Sequence, residues 1–114
     1  MNLAVLKETK LHERRVAATP ETIKKFIGLG FDVVVETGAG RGASIPDAVF
    51  EATGATIAPD GPTASRNADV VLKVQSPTPE ELAPLKRGAL LIAMLGFLTT
   101  VVLSKFLTRG DVIE

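Results

Sequence analysis

The sequence has no cysteine and only one histidine, His12. The lack of cysteine excludes a disulfide framework and a thiolate metal site, and one histidine cannot supply a histidine-rich metal site. Thirteen basic and thirteen acidic side chains cancel, so the basic excess typical of nucleic-acid-binding domains is also missing. The first apolar run reaches a charge at Lys7, too early for a secretory leader, so we expect a start in the cytosol or an equivalent space.

What is present is a chain of 114 residues with 46% apolar and 23% charged side chains, the composition of one soluble globular domain. The uncharged stretch over residues 88–104 raises the alternative of a membrane-spanning helix. Its length only touches the lower limit of about 17 to 25 residues. Gly96, Thr99 and Thr100 divide it into an apolar strand and a capped helix, so we expect no membrane span.

Short apolar runs alternate with amphipathic segments along the whole chain. Strands are predicted at residues 3–6, 33–35, 55–58, 70–74 and 89–95, and a sixth begins at residues 111–113. Helices are predicted from Pro20, after the N-cap Thr19, and at residues 47–53, 63–67, 79–85 and about 99–107. This alternation predicts an α/β fold, a three-layer helix–sheet–helix sandwich with a mainly parallel sheet whose fourth strand buries Val70 and Leu72.

The connection between the first strand and the first helix, residues 7–20, is long and highly charged. Such connections normally take about 2 to 6 residues, so a longer one indicates a function. Arg15 abuts an apolar run and is expected to point inward, where its guanidinium can grip a carboxylate. For Arg14 a solvated side chain is the simpler interpretation, and one of the two arginines can pair with Glu13 instead. His12 is expected on a surface loop.

Lys73 stands near the carboxyl end of a strand that is expected to be covered on both faces of the sheet. A buried ammonium group costs several kcal/mol unless it is paired. Two interpretations stay open. Lys73 anchors a carboxylate or carbonyl oxygen of a ligand, or it is an edge residue that reaches solvent or pairs with Glu8 or Glu36. We predict a substrate pocket with Arg15 and Lys73, supported by Glu8 and Gln75, at the carboxyl edge of the sheet.

Residues 38–43 fit the pattern G-x-G-x-x-A after a strand, which suggests a dinucleotide-binding turn. That turn must run directly into a helix, but Ile45 and Pro46 intervene, and the strand ends in the anionic Glu36. A turn that needs positive φ explains the glycines more simply. The sheet is therefore expected to be Rossmann-like or flavodoxin-like without the nucleotide fingerprint, and no residue is predicted to bind a cofactor or a metal.

Residues 7–20, 30–40, 69–75 and 88–92 resemble the N-terminal domain shared by alanine dehydrogenase and the α subunit of NAD(P) transhydrogenase. Residues 15–22 and 69–75 are most similar to transhydrogenase. The resemblance covers nearly the whole chain. It implies that Arg15 and Lys73 match the residues that hold the substrate carboxylate and carbonyl in alanine dehydrogenases. Gly96 stands where those enzymes carry a histidine acid/base, which argues against alanine oxidation. Leu6 and His12 replace a proline and an asparagine common in the family.

The resemblance implies that residues 1–114 are an N-terminal domain, a fragment of a longer subunit whose separate Rossmann domain binds NAD. The full protein is expected to transfer hydride between NAD(H) and NADP(H), coupled to proton translocation. This chain alone should be inactive, supplying a wall of the cleft and an interface.

Partners implied by the resemblance are the rest of the subunit, other transhydrogenase subunits and further copies in a homo-oligomer. The implied place is cytoplasmic or matrix-side, peripheral to a membrane complex. The alternatives are an alanine dehydrogenase-like oxidoreductase domain and a stand-alone small-ligand or interaction module.

Overall fold

The computed structural model describes residues 1–93, 101–105 and 112–113. The strands are β1 Asn2–Val5, β2 Asp32–Glu36, β3 Thr56–Ala58, β4 Val70–Lys73, β5 Leu90–Ala93, β6 Val101–Lys105 and β7 Val112–Ile113. The α-helices are α1 Pro20–Gly28, α2 Asp47–Glu51, α3 Gly61–Ser65 and α4 Pro79–Leu82, and a short 3₁₀ turn spans Arg41–Ala43.

The described strands form one sheet in the order β3-β2-β1-β4-β5-β6-β7. The first five pair in parallel, and β4 occupies the middle of the sheet, as predicted. Leu72 on β4 is buried, whereas Val70 is only half-buried, so the predicted burial is confirmed for Leu72 alone. The pairing of β1 with β4 places the residues that follow these two strands side by side at the carboxyl edge.

Each face of the sheet carries its own apolar core. On one face the sheet residues Val5 and Val35 pack with Ile23 of α1 and Phe50 of α2, all fully buried. On the other face a second cluster includes Val71 together with residues of α3 and α4. Helices therefore cover both faces of the sheet, and the predicted three-layer sandwich is confirmed.

The helix starts follow the capping signals in the sequence. The Thr19 hydroxyl accepts the N–H of Thr22 at the start of α1, and Thr78 forms a full capping box with Glu81 at the start of α4. The prediction for α3 was wrong at its start: Asp60 is the N-cap, so the helix begins at Gly61 rather than at residue 63. The helix α4 ends before the predicted residue 85 because Pro84 has no N–H with which to continue it.

The predicted helix over residues 99–107 is wrong where the structure describes it. Val101–Lys105 is the strand β6, antiparallel to β5, and Val112–Ile113 pairs antiparallel with β6 instead of opening a further parallel repeat. β-branched residues such as Val101 and Val102 favour a strand, and the free edge of β5 provides the hydrogen-bonding partner. The remaining positions of that predicted helix, and residues 94–95 of the predicted fifth strand, lie outside the described residues.

Strands β5 and β6 also overturn the alternative of a spanning helix over residues 88–104. Among the described residues, no helix has the length and apolar character needed to cross a membrane.

Candidate functional site

The carboxyl edge of the sheet gathers the charged residues that follow β1 and β4. Lys73 ends β4 with a side chain that is 1% exposed. Its Nζ lies 2.8 Å from Oε2 of Glu81 and 3.3 Å from Oε1 of Glu8. An ammonium this deeply buried needs such partners, because the loss of its hydration costs several kcal/mol. We call these three residues the Lys73 cluster.

The Glu8 carboxylate binds backbone N–H groups as well as the Lys73 ammonium group. Its Oε2 accepts the N–H of Val74 at 2.8 Å, and its Oε1 accepts the N–H of Gln75 at 3.0 Å. The connection after β1 is thereby attached to the end of β4, where the chain leaves the sheet. The two predicted supporting residues are thus hydrogen-bonded to each other, and Glu8 pairs with Lys73, which is one of the interpretations that the sequence left open.

Sequence reasoning missed the role of Glu81 at the cluster. Its Oε1 accepts the N–H of Thr78, which completes the capping box, while its Oε2 binds Lys73. The sequence carries a Thr-x-x-Glu capping motif at Thr78 and Glu81, and the cap occupies only one of the two carboxylate oxygens. The second carboxylate oxygen is not needed for the cap, and the helix directly follows the strand of Lys73. These two facts were the signal that could have revealed the contact.

Glu36, the other partner proposed for Lys73, forms no hydrogen bond or ion pair with it among the described residues. Its Oε1 accepts the backbone N–H of Lys7 at 2.9 Å. Burial raises the pKa of the Glu36 carboxyl, while the Lys7 N–H and the charges of Lys7 and Lys73 act in the opposite direction. Glu36 therefore ties β2 to the same connection without entering the cluster.

The expectation that Arg15 points inward is wrong. Its side chain is 56% exposed and forms a bidentate ion pair with Glu13. Nη2 lies 2.8 Å from Oε1, and Nε lies 2.9 Å from Oε2. This is the alternative pairing that the sequence left open. The Arg15 guanidinium, followed by a hydrogen bond from Gln75, lowers the pKa of Glu13 to about 2. Arg15 and Glu13 therefore carry opposite charges across a wide pH range.

One hydrogen-bonded network nevertheless links the two predicted pocket residues. Glu13 binds Arg15 and accepts Gln75 Nε2 at 2.5 Å, while the Gln75 backbone N–H is bound by Glu8, which pairs with Lys73. Arg15 lies at the solvent end of this network and Lys73 at the buried end. That both residues contact a ligand stays a prediction.

The glycine-rich turn after β2 does not form a dinucleotide site. A 3₁₀ turn, Ser44 with φ 62° and Pro46 separate it from α2, and the Gly38 N–H is donated to Asp47 Oδ1 at 2.9 Å. No helix N-terminus is presented to a pyrophosphate by this turn, so these residues do not fit an NAD pyrophosphate. Positive φ explains Gly38, at 76°, but not Gly40.

His12 lies on the surface, as predicted. It is exposed in the connection between β1 and α1, with φ 69°, and Arg14 in the same connection is exposed as well. Neither side chain takes part in the Lys73 cluster.

Comparison of the sequence with known proteins identifies relatives of this chain. Residues 4–113 match the family model described as alanine dehydrogenase/PNT, N-terminal domain. The first of the NAD(P) transhydrogenase alpha-subunit polypeptides of Rhodospirillum rubrum is 47% identical over 98% of this chain and 30% of its own length. Alanine dehydrogenase of Halomonas elongata is 44% identical over 83% of this chain and 26% of its own length. The chain thus spans less than a third of these relatives.

Solved structures agree with the sequence comparison. A transhydrogenase from Sinorhizobium meliloti superposes with a TM-score of 0.79 at 41% identity, covering 83% of this chain and 28% of that one. An L-alanine dehydrogenase superposes with a TM-score of 0.73 at 30% identity, covering 82% of this chain and 26% of the other. Both likenesses rest on a minor part of the larger protein.

Proposed function

This chain belongs to the family of alanine dehydrogenase/PNT N-terminal domains, and from that premise we propose that it forms the N-terminal part of the NAD(H)-binding component of a proton-translocating NAD(P) transhydrogenase. The observation that carries the proposal is its 47% identity to a transhydrogenase subunit over 98% of the chain. In this role residues 1–114 are one domain of a longer subunit. The full assembly transfers hydride between NAD(H) and NADP(H).

Within that assembly the chain supplies a wall of the cleft rather than the nucleotide site. Its glycine turn does not fit the pyrophosphate of NAD, so NAD is held by the part of the subunit that follows. Lys73, Glu8 and Glu81 lock the ends of β1 and β4 and the start of α4 together. A wall fixed in this way keeps its shape when a neighbouring domain closes against it, which is what hydride transfer between positioned rings requires.

Partners and place in the cell follow from the same proposal. The chain joins the rest of its subunit, the other transhydrogenase subunits and further copies of itself. It lies on the cytoplasmic or matrix side, peripheral to a membrane complex. The charged carboxyl edge is the face on which the remainder of the subunit docks.

The second candidate, an alanine dehydrogenase-like domain, is favoured by the 44% identity to the Halomonas enzyme. It would use Arg15 and Lys73 as the substrate pocket. Its weakness is proton transfer, because the only histidine of the chain, His12, is exposed on the connection after β1. Gly96, where a histidine would be expected, lies outside the described residues.

Two matched chimeras distinguish these candidates. In the first, residues 1–114 replace the corresponding segment of the Rhodospirillum rubrum subunit, and in the second they replace that of the Halomonas alanine dehydrogenase. We expect the first to transfer hydride from NADH to an NADP⁺ analogue and the second to fail in alanine-dependent NAD⁺ reduction. The unmodified parents and the isolated chain, which should be inactive, are the controls. The reverse pattern, in chimeras that fold, would favour the alanine dehydrogenase role.

A further inference from the structure

One face of the sheet is only partly covered near its middle. Helices α1 and α2 lie over β2 and β3 on the face that carries Val35. On the same face, Val70 of β4 and Ile92 of β5 are only half-buried. Leu90, two residues before Ile92 and paired with Val70, lies on the same side of the sheet and is half-buried as well. We call Val70, Leu90 and Ile92 the open face.

The exposure is specific to this side of β4 and β5. On the opposite side of the two strands, Val71 and Leu91 are fully buried in the other core. On the same side, Leu3 of the neighbouring β1, which pairs with Val70, is buried too. Strands in the middle of a parallel sheet are normally covered on both faces. The open face is therefore an apolar surface whose cover is incomplete.

Two exposed apolar side chains extend the open face at the amino edge of the sheet. Met1, 69% exposed, stands two residues before Leu3 and so on the same side of β1. Leu29, 76% exposed, lies at the C-terminal end of α1, the helix that covers this side. Apolar side chains that are grouped on a surface indicate a contact site, whereas scattered ones do not.

We propose that the open face packs against the open face of a second copy of this chain, in a two-fold symmetric dimer. Two-fold symmetry brings a residue near the axis close to its own copy, so a charged residue there would meet the same charge. The three residues of the open face are all apolar and can meet their own copies without repulsion. The carboxyl edge, with its many charged side chains, is less suited to such a contact.

The charges around the open face also favour a second copy as the partner. At the amino edge, Asp32 before the middle of β2 and Arg87 before β5 are both exposed, so the rim carries both signs. The chain as a whole is neutral, so two copies do not repel each other at long range. The inference goes beyond the proposed function, which assigns no surface to the contact between copies.

Sedimentation velocity of the purified 114-residue chain over a range of concentrations tests the dimer. We expect a monomer–dimer equilibrium with a dissociation constant of about 10 to 100 µM, because the apolar area is small for a specific interface. Leu90→Lys should weaken the dimer by at least about tenfold, since each copy would bury an ammonium group opposite that of its partner.

Leu11→Lys is the matched control, because Leu11 is 86% exposed in the connection after β1, at the carboxyl edge. It should change the dissociation constant by less than about twofold, as expected for a distant surface charge. A chain that stays monomeric at millimolar concentration would overturn the proposal. Equal weakening by Leu11→Lys and Leu90→Lys would overturn it as well.

Thiol labelling gives a second readout that does not depend on a lysine at a half-buried position. The chain has no cysteine, so Val70→Cys introduces a single thiol on the open face. At ten times the dissociation constant about one fifth of the chain is monomeric, so this thiol should react about fivefold more slowly than in dilute protein. Leu11→Cys should react at the same rate at both concentrations.

A Val70→Cys labelling rate that does not depend on concentration would contradict the dimer. If the thiol is protected only in the chimera with the Rhodospirillum rubrum subunit, the remainder of the subunit covers the open face and the proposal is wrong. Either result leaves the transhydrogenase proposal intact, because that proposal is tested by hydride transfer in the chimera.

Discussion

At the scale of single residues, Lys73 determines how the carboxyl edge is built. Its ammonium is shielded from water between the carboxylates of Glu8 and Glu81. Because Glu8 also accepts the backbone N–H of Val74, and Glu81 that of Thr78, each carboxylate fixes main chain along with the charge. The cluster therefore positions three segments of the chain at once.

Replacing Lys73 by methionine should destabilise the fold by about 1 to 3 kcal/mol, because Glu8 and Glu81 would stay partly buried without their cation. The loss is limited by the backbone N–H groups that both carboxylates retain. Urea unfolding at pH 7 measures it. The matched control is Lys24→Met, at an exposed position of α1. If the two variants are equally stable, the cluster does not stabilise the fold.

Glu13 predicts a dependence of stability on pH. Its pKa is about 2 in the folded chain, against 4.5 for the ordinary group, chiefly because of Arg15. A carboxyl whose pKa is lowered by folding stabilises the native state above its ordinary pKa, and this stability is lost as the pH falls towards the folded value. The free energy of unfolding of the parent should thus decrease more than that of Glu13→Gln between pH 5 and about pH 2.

The comparison uses urea unfolding of both proteins at several pH values in that range. Glu36 acts in the opposite sense, since burial raises its pKa, but it is present in both proteins and cancels. Parallel pH profiles for the parent and Glu13→Gln would show that the Arg15–Glu13 pair contributes no pH-dependent stability.

The sequence was sufficient to predict part of this site. A lysine inside an apolar strand requires partners, and the parallel pairing of β1 with β4 brings Glu8 to it. It was not sufficient for Arg15, because the apolar residues that follow it favoured an inward side chain, whereas Glu13 two positions earlier pairs with it on the surface. Local charge pairing prevailed over the burial pattern there.

At the scale of elements, the connections after β1 and β2 pack directly on each other, since a Cβ atom on Gly42 would lie 2.9 Å from Cα of Arg14. A Cβ atom on Gly40 would lie 2.6 Å from the carbonyl oxygen of Ile45 and 2.6 Å from a ring carbon of Phe50. Phe50, a residue of α2, is fully buried in the core that α1 and α2 form with the sheet. The glycine turn is thus a packing element between the core and the carboxyl edge.

Gly40→Ala should destabilise the fold by about 1 to 3 kcal/mol, because the new methyl group overlaps backbone that cannot move freely. Gly28→Ala is the matched control, since a Cβ atom at the end of α1 meets nothing within 4 Å. That control should be neutral or more stable by about 0.5 to 1 kcal/mol, given the helix preference of alanine. Thermal melts of the two variants provide the measurement. Equal melting temperatures would show that the turn tolerates a side chain at Gly40.

Elements with local signals were predictable and those that depend on distant partners were not. Thr19 and Thr78 cap the starts of α1 and α4 through hydrogen bonds to residues three positions later, so both helix starts can be read from the local sequence. The strand β6 depends on pairing with β5, and its apolar run fits a helix equally well when read alone. Its antiparallel direction could not be read from a pattern of alternating strands and helices.

At the scale of the whole molecule, the chain is a sheet with a charged carboxyl edge and corresponds to less than a third of its relatives. The Lys73 cluster and the Arg15–Glu13 pair both lie at that edge, where α/β proteins bind ligands and neighbouring domains. In the proposed transhydrogenase subunit, this edge faces the domain that binds NAD.

The most direct test of the transhydrogenase proposal is the rate at which the chimera with the Rhodospirillum rubrum subunit transfers hydride from NADH to an NADP⁺ analogue, in the presence of the other subunits. A wall of the correct shape should keep this rate within about tenfold of the parent, equivalent to a change of about 1.4 kcal/mol in the barrier. A chimera that is folded, binds NADH as the parent does and assembles with the other subunits, yet transfers no hydride, would contradict the proposal.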